Sequence, residues 1–128
     1  MRLLLDTHVL LWWHDQPARL TETAYNAITD LGNDMSLSVV NGWEIQIKGQ
    51  LGKLTLPKPL RVLLHEEQAT NGFRVLPVTL EHVYALASFP LHHRDPFDRL
   101  LIAQAHQEGL TLVTHDPKFS AYSVPWLW

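Results

Sequence analysis

The residues Arg2-Leu-Leu-Leu-Asp-Thr-His-Val-Leu-Leu-Trp-Trp13 decide the fold of this 128-residue chain. The apolar run that ends at Leu5 has the length of a short buried strand, and Asp6 ends it. The residues from Thr7 to Trp13 are predicted to open a helix. A buried strand that leads directly into a helix is the repeating unit of α/β proteins with parallel sheets.

Strands and helices are predicted to alternate along the rest of the chain. Three helix starts carry favourable caps, namely Thr21, Ser38, and Asp95 followed by Pro96. The predicted helices cover residues 20–31, 39–51, 60–70, 80–87 and 96–107, and the predicted strands cover 35–37, 73–76, 111–114 and part of the tail 123–128. We therefore predict one α/β domain over residues 1–128, with a mainly parallel sheet.

The helix over 39–51 is predicted to be amphipathic. Its apolar residues recur at intervals of three and four, which is typical of a helix with one buried face. The expected apolar positions are Val39, Val40, Trp43, Ile47 and Leu51.

Composition and charge exclude several classes of protein. Hydrophobic residues make up 46% of the chain, too many for a disordered protein, and the absence of cysteine excludes disulfides and thiolate zinc sites. No apolar run suits a membrane span or a secretory signal, so we expect a cytoplasmic protein. The net charge of −3 argues against a stable nucleic-acid binder more than against an enzyme with transient substrate contacts. The candidate substrate-contacting cations are Lys48, Lys53, Lys58, Arg61, Arg94 and Arg99.

Four acidic residues lie where a parallel sheet could bring them together. Asp6 follows the first strand, and Asp116 follows the strand that ends near residue 114, so both are expected at the carboxyl edge of the sheet. Asp98 lies in the first turn of its helix, near the positive end of the helix dipole, and Glu44 lies inside the helix 39–51. Clustered carboxylates repel one another unless a hard cation binds, which predicts a Mg²⁺ or Mn²⁺ site and phosphoryl chemistry.

Each of these acids also has a purely structural interpretation. Asp6 could cap the following helix, Asp116 could open a turn, and Asp98 could complement the helix dipole at the surface. Glu44, taken alone, is interpreted as a solvated helix residue. Asp95 is interpreted as a helix cap and not as a metal ligand.

Four segments of the chain, in order, resemble the sequence motifs of PIN domains. They are Leu4-Leu-Asp-Thr-His-Val-Leu-Leu-Trp12, Ser38-Val-Val-Asn-Gly-Trp-Glu-Ile-Gln-Ile-Lys48, Arg94-Asp-Pro-Phe-Asp-Arg-Leu-Leu-Ile-Ala-Gln-Ala105 and Leu112-Val-Thr-His-Asp-Pro-Lys-Phe119. The branch that they resemble is the VapC-type toxins of bacterial toxin–antitoxin pairs. The chain departs from the family at His115, where PIN domains often have arginine or another residue.

The resemblance implies a PIN-like three-layer α/β/α sandwich and a Mg²⁺- or Mn²⁺-dependent endoribonuclease that hydrolyses RNA. It maps the family's catalytic and metal-binding acids onto Asp6, Glu44, Asp98 and Asp116. It also implies a homodimer and a cognate antitoxin, which in many pairs inserts an arginine and an apolar helix into a groove of the toxin. As a hypothesis about the mechanism, Thr7 and Thr114 could orient the carboxylates, and Lys48 and Arg99 could contact RNA. Solvated helix charges explain Lys48 and Arg99 at least as well.

Two other functions stay open at this point. The eight histidines, among them His8, His92 and His93, would suit a transition-metal or histidine-based ribonuclease without Mg²⁺, although no helical His-x-x-x-His pair is present. Alternatively, the chain could be a non-catalytic interaction module that binds a basic or apolar partner peptide. The tryptophans considered for such a groove are Trp12, Trp13, Trp126 and Trp128, with core or dimer packing favoured for Trp12 and Trp13.

Overall fold

Five parallel strands form the central sheet of the computed structural model, in which residues 1–91 and 95–128 are described. They are β1 Arg2–Leu5, β2 Asp34–Ser38, β3 Arg74–Leu76, β4 Thr111–Val113 and β5 Trp126–Leu127. Their order across the sheet is β3-β2-β1-β4-β5, and every neighbouring pair is parallel. The predicted parallel α/β architecture is confirmed, and the opening strand β1 lies at the centre of the sheet.

Six α-helices lie within the same described residues. They are α1 Thr7–Asp15, α2 Glu22–Thr29, α3 Val39–Gln50, α4 Leu60–Ala69, α5 Leu80–Ala85 and α6 Pro96–Glu108. Short 3₁₀ turns cover Pro17–Arg19, Leu86–Ser88 and Pro117–Ala121. Among the described helices, none combines the length and the hydrophobicity that a bilayer crossing requires.

The predicted helix caps at Thr21, Ser38 and Asp95 are confirmed. Each side chain accepts a hydrogen bond from a backbone N–H of the next turn, at 3.1 Å for Thr21, 2.9 Å for Ser38 and 2.8 Å for Asp95. Because a cap residue stays outside its helix, α2 begins at Glu22 and not at residue 20. It ends at Thr29, earlier than the predicted residue 31.

Other boundaries differ from the predictions by a few residues. The helix predicted over 80–87 is α-helical only to Ala85 and then tightens into a 3₁₀ turn, which is common at helix ends. The last strand has only the two residues Trp126–Leu127. Gly109 ends α6 as predicted, because its φ of 66° lies in the left-handed region that favours glycine.

Side chains of β1 alternate between the two faces of the sheet, as those of any strand do. Leu3 and Leu5 pack into a core with buried side chains of α1 and α2, which are Val9, Leu10, Ala24 and Ile28. Leu4 packs on the opposite face with α6 and β4, through Leu100, Leu101, Ile102, Ala105 and Leu112. Helices therefore cover both faces of the sheet, which gives the predicted three-layer α/β/α sandwich.

The predicted buried face of α3 is largely wrong. Val39, Trp43 and Leu51 are 47%, 51% and 63% exposed. The buried positions of this helix are instead Val40, Asn41, Glu44 and Ile45. The reason is that α3 places two polar side chains against the ends of the strands, and this rotation turns part of its apolar surface to solvent.

Candidate active site

The four predicted acids surround one cavity at the edge where β1 and β4 end, which we call the acid cavity. It has a volume of about 290 Å³, and its lining is Asp6, His8, Glu44, Lys48, Asp95, Asp98, His115, Asp116 and Pro117. Strands β1 and β4 are neighbours, with Leu5 level with Val113. This register places the residues that follow the two strands side by side.

Asp6 is buried at 4% exposure and is held from two sides. Its Oδ2 accepts a hydrogen bond of 2.7 Å from the Thr114 hydroxyl, and its Oδ1 accepts one of 3.3 Å from the His8 backbone N–H. The second bond caps α1, so the structural interpretation of Asp6 also holds. Burial raises the pKa of Asp6 above its ordinary value, while the Thr114 hydrogen bond and the His8 charge oppose that rise.

The first turn of α6 brings two carboxyl groups to the acid cavity. Asp95 is the predicted cap, with its side chain accepting hydrogen bonds from the N–H groups of Phe97 (2.8 Å) and Asp98 (3.3 Å). Burial, and then the charges of Asp95, Asp6, Glu44 and Asp116, raise the pKa of Asp98 to about 8. Asp98 therefore keeps a proton near neutral pH unless a cation offsets the surrounding negative charge.

Glu44 is buried at 2% exposure, so its interpretation as a solvated residue is wrong. The cause lies one turn earlier on the same face of α3, at Asn41. The Asn41 amide donates hydrogen bonds to the carbonyl of Leu5 (3.1 Å) and the hydroxyl of Thr7 (2.9 Å), which fastens α3 to the end of β1. Glu44 then faces the acid cavity, since residues three apart in a helix share a face.

The two oxygens of Glu44 have different surroundings. Oε2 forms an ion pair with Lys48 one turn later in α3. Oε1 is buried and has no hydrogen-bond partner among the described residues. Burial alone acts to lower the pKa of Lys48, but the hydrogen bond and charge of Glu44, with the charges of Asp95 and Asp98, raise that pKa above its ordinary value. Lys48 is therefore a firmly protonated cation on the cavity wall.

Asp116 caps the 3₁₀ turn Pro117–Ala121 that follows β4. Its side chain accepts a hydrogen bond of 2.9 Å from the Lys118 N–H, so the turn-opening role is confirmed. Its own N–H donates to the Thr114 hydroxyl at 3.1 Å. Thr114 thus links the two strand-end acids, Asp6 through its side chain and Asp116 through its backbone.

The donors of the acid cavity match the chemistry of a hard divalent cation. Carboxylate oxygens are the ligands that Mg²⁺ and Mn²⁺ prefer. Within residues 1–91 and 95–128, no group of three or more His, Cys, Asp or Glu side chains is already arranged to hold a metal ion. The unpartnered Oε1 of Glu44 and the raised pKa of Asp98 are nevertheless both features that a bound cation would relieve. The residues present therefore fit such an ion.

Two of the predicted supporting residues have other contacts. The Thr7 hydroxyl accepts a hydrogen bond from Asn41 and does not orient an acid of the cavity through any described hydrogen bond. The Arg99 guanidinium donates to the carbonyls of Leu86 (3.3 Å) and Phe89 (3.4 Å), and Arg99 does not line the acid cavity. Arg99 thus holds the turn after α5, because its position on α6 aims it away from the strand ends.

Among the residues that the structure describes, the other candidate cations do not gather at the acid cavity. Lys58 pairs with Glu66 at 2.9 Å. Arg61 lines a separate groove of about 640 Å³ between α3 and α4, and Lys53 is exposed beyond the end of α3. Three residues considered from the sequence lie outside the described ranges, namely His92, His93 and Arg94.

No role beside the four acids was predicted for Asn41 or His115, and His8 was considered only for the histidine-based alternative. The signal for Asn41 was its place three residues after a serine cap and three before Glu44. The histidines flank acids in the sequence, since His115 directly precedes Asp116 and His8 follows shortly after Asp6. Both histidines line the acid cavity.

The predicted packing of the α1 tryptophans is confirmed. Trp13 packs on the core next to Phe73, with 6.4 Å between ring centroids, and its indole N–H donates to Glu67 at 3.0 Å. Trp12 also packs against the core, and its outer side contacts the rings near the acid cavity. Trp126 remains 39% exposed.

Comparisons with known proteins agree with this architecture. The family model described as PIN domain matches residues 3–125. Ribonuclease VapC22 of Mycobacterium tuberculosis (strain ATCC 25618 / H37Rv) is 28% identical over 124 residues, which covers 96% of this chain and 93% of that protein.

Two solved structures are similar over nearly their whole length. VapBC2 from Rickettsia felis, bound to a DNA fragment from its promoter, has a TM-score of 0.74 at 15% identity, with 99% of this chain and 98% of that chain covered. VapBC-1 from nontypeable Haemophilus influenzae has a TM-score of 0.70 at 16% identity, with 99% and 97% covered. At these identities the likeness shows the fold, and the family model decides the assignment. The chain belongs to the PIN domain family.

Proposed function

We propose that this chain is a Mg²⁺- or Mn²⁺-dependent endoribonuclease that acts as the toxin of a toxin–antitoxin pair. The observation that carries the proposal is the convergence of Asp6, Glu44, Asp98 and Asp116 on the acid cavity. Carboxyl groups held close together repel one another, and two of these four, Asp6 and Glu44, are also buried, so their proximity calls for a cationic ligand. The similarity to a ribonuclease over nearly the full chain supports RNA as the substrate.

The same four acids are the proposed metal ligands, directly or through water, since Mg²⁺ keeps several of its waters in proteins. A divalent cation bound there supplies Lewis-acid stabilisation of the negative charge that develops on a phosphodiester during hydrolysis. The chain's own groups prepare that chemistry. Thr114 fixes one oxygen of Asp6, and Lys48 offsets the charge of Glu44.

The proposed partner is a cognate antitoxin, as the names of the similar VapBC complexes suggest. A groove of about 210 Å³ beside α1 has a mixed lining that a helix could contact. Its apolar members are Leu11, Trp12, Leu54, Leu56, Pro57 and Leu63, and its polar members are His8, His14, Asp15, Gln16, Arg19 and Thr55. His8 lines both this groove and the acid cavity. An arginine from a helix in the groove could therefore reach the carboxylates and block the site. A homodimer and a cytoplasmic location complete the proposal.

The test is an RNA cleavage assay with Mg²⁺ or Mn²⁺, with EDTA, and with the isosteric variants Asp6→Asn and Asp98→Asn. Each variant should lose activity on the order of 100-fold or more, because a ligand charge is removed at constant shape. Glu81→Gln is the matched control, since Glu81 is an exposed acid of α5 outside the acid cavity. Calorimetric titration of Mn²⁺ gives a second readout, in which Asp98→Asn should bind the ion more weakly.

Two outcomes would reject parts of the proposal. Full activity in EDTA would remove the metal and favour the histidine-based alternative. Tight binding of the antitoxin without any loss of RNA would favour the non-catalytic interaction module. Sedimentation of the purified chain at several concentrations tests the homodimer separately.

A further inference from the structure

Four aromatic rings form a continuous cluster at the mouth of the acid cavity. We call it the ring cluster, and its members are His8, Trp12, His115 and Trp128. The ring centroids of Trp12 and His115 are 4.7 Å apart, and every other contact within the cluster lies between 5.9 and 6.0 Å. These distances are typical of packed aromatic pairs.

The ring cluster is continuous with the acid cavity. His8 and His115 line that cavity and are exposed to solvent, whereas Trp12 and Trp128 are half-buried and support them. The Arg19 guanidinium lies 4.3 Å from the centre of the Trp12 ring, which adds a positive charge to this side of the cluster. A flat ligand bound against the two imidazoles would thus touch the site where the phosphodiester is expected.

Core packing does not account for the outer members of the ring cluster. Trp12 and Trp128 pack against the core formed with Leu3 and Leu5. His8 and His115 are exposed and are not part of that core. Part of each histidine is therefore open to solvent beside the polar cavity.

The charge of the chain favours such a surface for RNA binding. Affinity for RNA normally comes from lysine and arginine that neutralise phosphates. Here the net charge is −3, and the acid cavity itself is strongly acidic. Among the described cations, Lys48 pairs with Glu44 and Lys58 pairs with Glu66. Stacking of bases on aromatic rings is a second source of affinity, which adds to that of the phosphate contacts.

We propose that the ring cluster is a nucleobase-stacking subsite, which holds an unpaired base of the RNA next to the phosphodiester over the acid cavity. The inference rests on the proposed ribonuclease function and adds to it a base-binding subsite beside the four acids. A base inside a duplex has both faces covered by its neighbours, so a stacking subsite selects unpaired nucleotides. Because every base has a π-face, the subsite tolerates different sequences.

The test measures RNA binding without cleavage. Fluorescence anisotropy of a labelled short single-stranded RNA is recorded with the full chain in EDTA, and a gel afterwards checks that the RNA is intact. The double variant His8→Ala/His115→Ala should bind roughly 10- to 100-fold more weakly. The double variant His8→Phe/His115→Phe keeps the rings and should bind within a few-fold of the wild type. His65→Ala is the matched control, because His65 is an exposed histidine of α4 outside the ring cluster.

A series of RNAs that each lack one base locates the contact. With the wild-type chain, one abasic position should weaken binding about as much as the alanine variant does. With the alanine variant, the same position should no longer matter. Circular dichroism shows whether each variant is folded.

Three results would overturn the inference. The alanine variant could bind RNA as tightly as the wild type, or the phenylalanine variant could bind as weakly as the alanine variant. The third such result is that no abasic position weakens binding to the wild type. The inference is also overturned if the wild type binds no RNA, or if the alanine variant loses only antitoxin binding, which would make the cluster a protein-binding surface. A different result separates the two proposals. If the wild type binds RNA through the rings but does not cleave it with Mg²⁺, the ribonuclease proposal is rejected and the stacking subsite is retained.

Discussion

The hydroxyl of Thr114 donates a hydrogen bond of 2.7 Å to Oδ2 of Asp6, although 108 residues of sequence separate them. The same hydroxyl oxygen accepts a hydrogen bond from the backbone N–H of Asp116. Thr114 is fully buried, so neither bond is exchanged easily for water. One side chain at the end of β4 therefore sets the position of two of the acids.

The first prediction concerns this link. Thr114→Val keeps the volume of the side chain but leaves Asp6 without its donor, so Mn²⁺ affinity should fall about 10- to 100-fold. The free energy of unfolding should fall by about 1 to 3 kcal/mol, because buried polar groups lose their partner. Thr114→Ser keeps the hydroxyl, so its Mn²⁺ affinity and its free energy of unfolding should both stay close to those of the wild type. Calorimetry measures the Mn²⁺ affinity, and urea denaturation measures the free energy of unfolding. If the serine variant lost as much of both as the valine variant, the hydroxyl of Thr114 would not have the role described.

The second prediction concerns the ion pair of Glu44 and Lys48. Lys48→Met leaves a carboxylate buried without its cation, and the free energy of unfolding should fall by about 2 to 3 kcal/mol, somewhat less than for a fully buried pair. The double variant Lys48→Met/Glu44→Gln removes the unpaired charge and should regain most of that loss. Denaturation in EDTA measures both variants. Equal stabilities of the single and double variants would show that the pair does not act as described.

The third prediction follows from the raised pKa of Asp98, about 8 against an ordinary value of 3.8. The folded chain holds this proton more tightly than the unfolded chain does. The Asp98 contribution to stability is therefore complete below the ordinary pKa and is lost as the pH rises towards 8. Asp98→Asn should flatten the pH dependence of the free energy of unfolding in that window, measured in EDTA. If the free energy of unfolding of the variant and of the wild type changed with pH in the same way, the raised pKa would not belong to Asp98.

The fourth prediction concerns metal binding and the same proton. A cation that binds Asp98 must displace the proton, so the apparent affinity for Mn²⁺ should rise with pH and level off above about 8. Calorimetry at neutral pH in buffers of different ionisation enthalpy should show proton release by the wild type. Asp98→Asn should release less. If Asp98→Asn released as many protons on binding Mn²⁺ as the wild type, the protons would come from a group other than Asp98.

The fifth prediction separates the two roles open to Asp95. Asp95→Asn retains a good cap, so the free energy of unfolding should change by only a few tenths of a kcal/mol, whereas Asp95→Ala should lower it by about 1 kcal/mol. If Asp95 is a cap and not a ligand, the asparagine variant should cleave RNA at a rate within a few-fold of the wild type. Cleavage lost to the same degree as in Asp98→Asn would make Asp95 a ligand.

Local sequence signals determined most of the architecture. Short apolar runs, helix caps at Thr21, Ser38 and Asp95, and the glycine that ends α6 all act within a few residues, so the alternation of strands and helices could be predicted. The placement of Asp6 and Asp116 after parallel strands was also predictable, since parallel strands carry their carboxyl ends to one edge.

The tertiary structure alone decided which way the helices face. The sequence pattern of α3 favours a buried stripe with Val39 and Trp43, but the hydrogen bonds of Asn41 to the end of β1 rotate the helix so that Glu44 is buried. Likewise, only packing turned Arg99 towards the carbonyls after α5 and brought His8 beside His115. These outcomes depend on contacts between segments that are far apart in the chain. The sequence pattern within either segment does not indicate such contacts, so they could not be predicted from it.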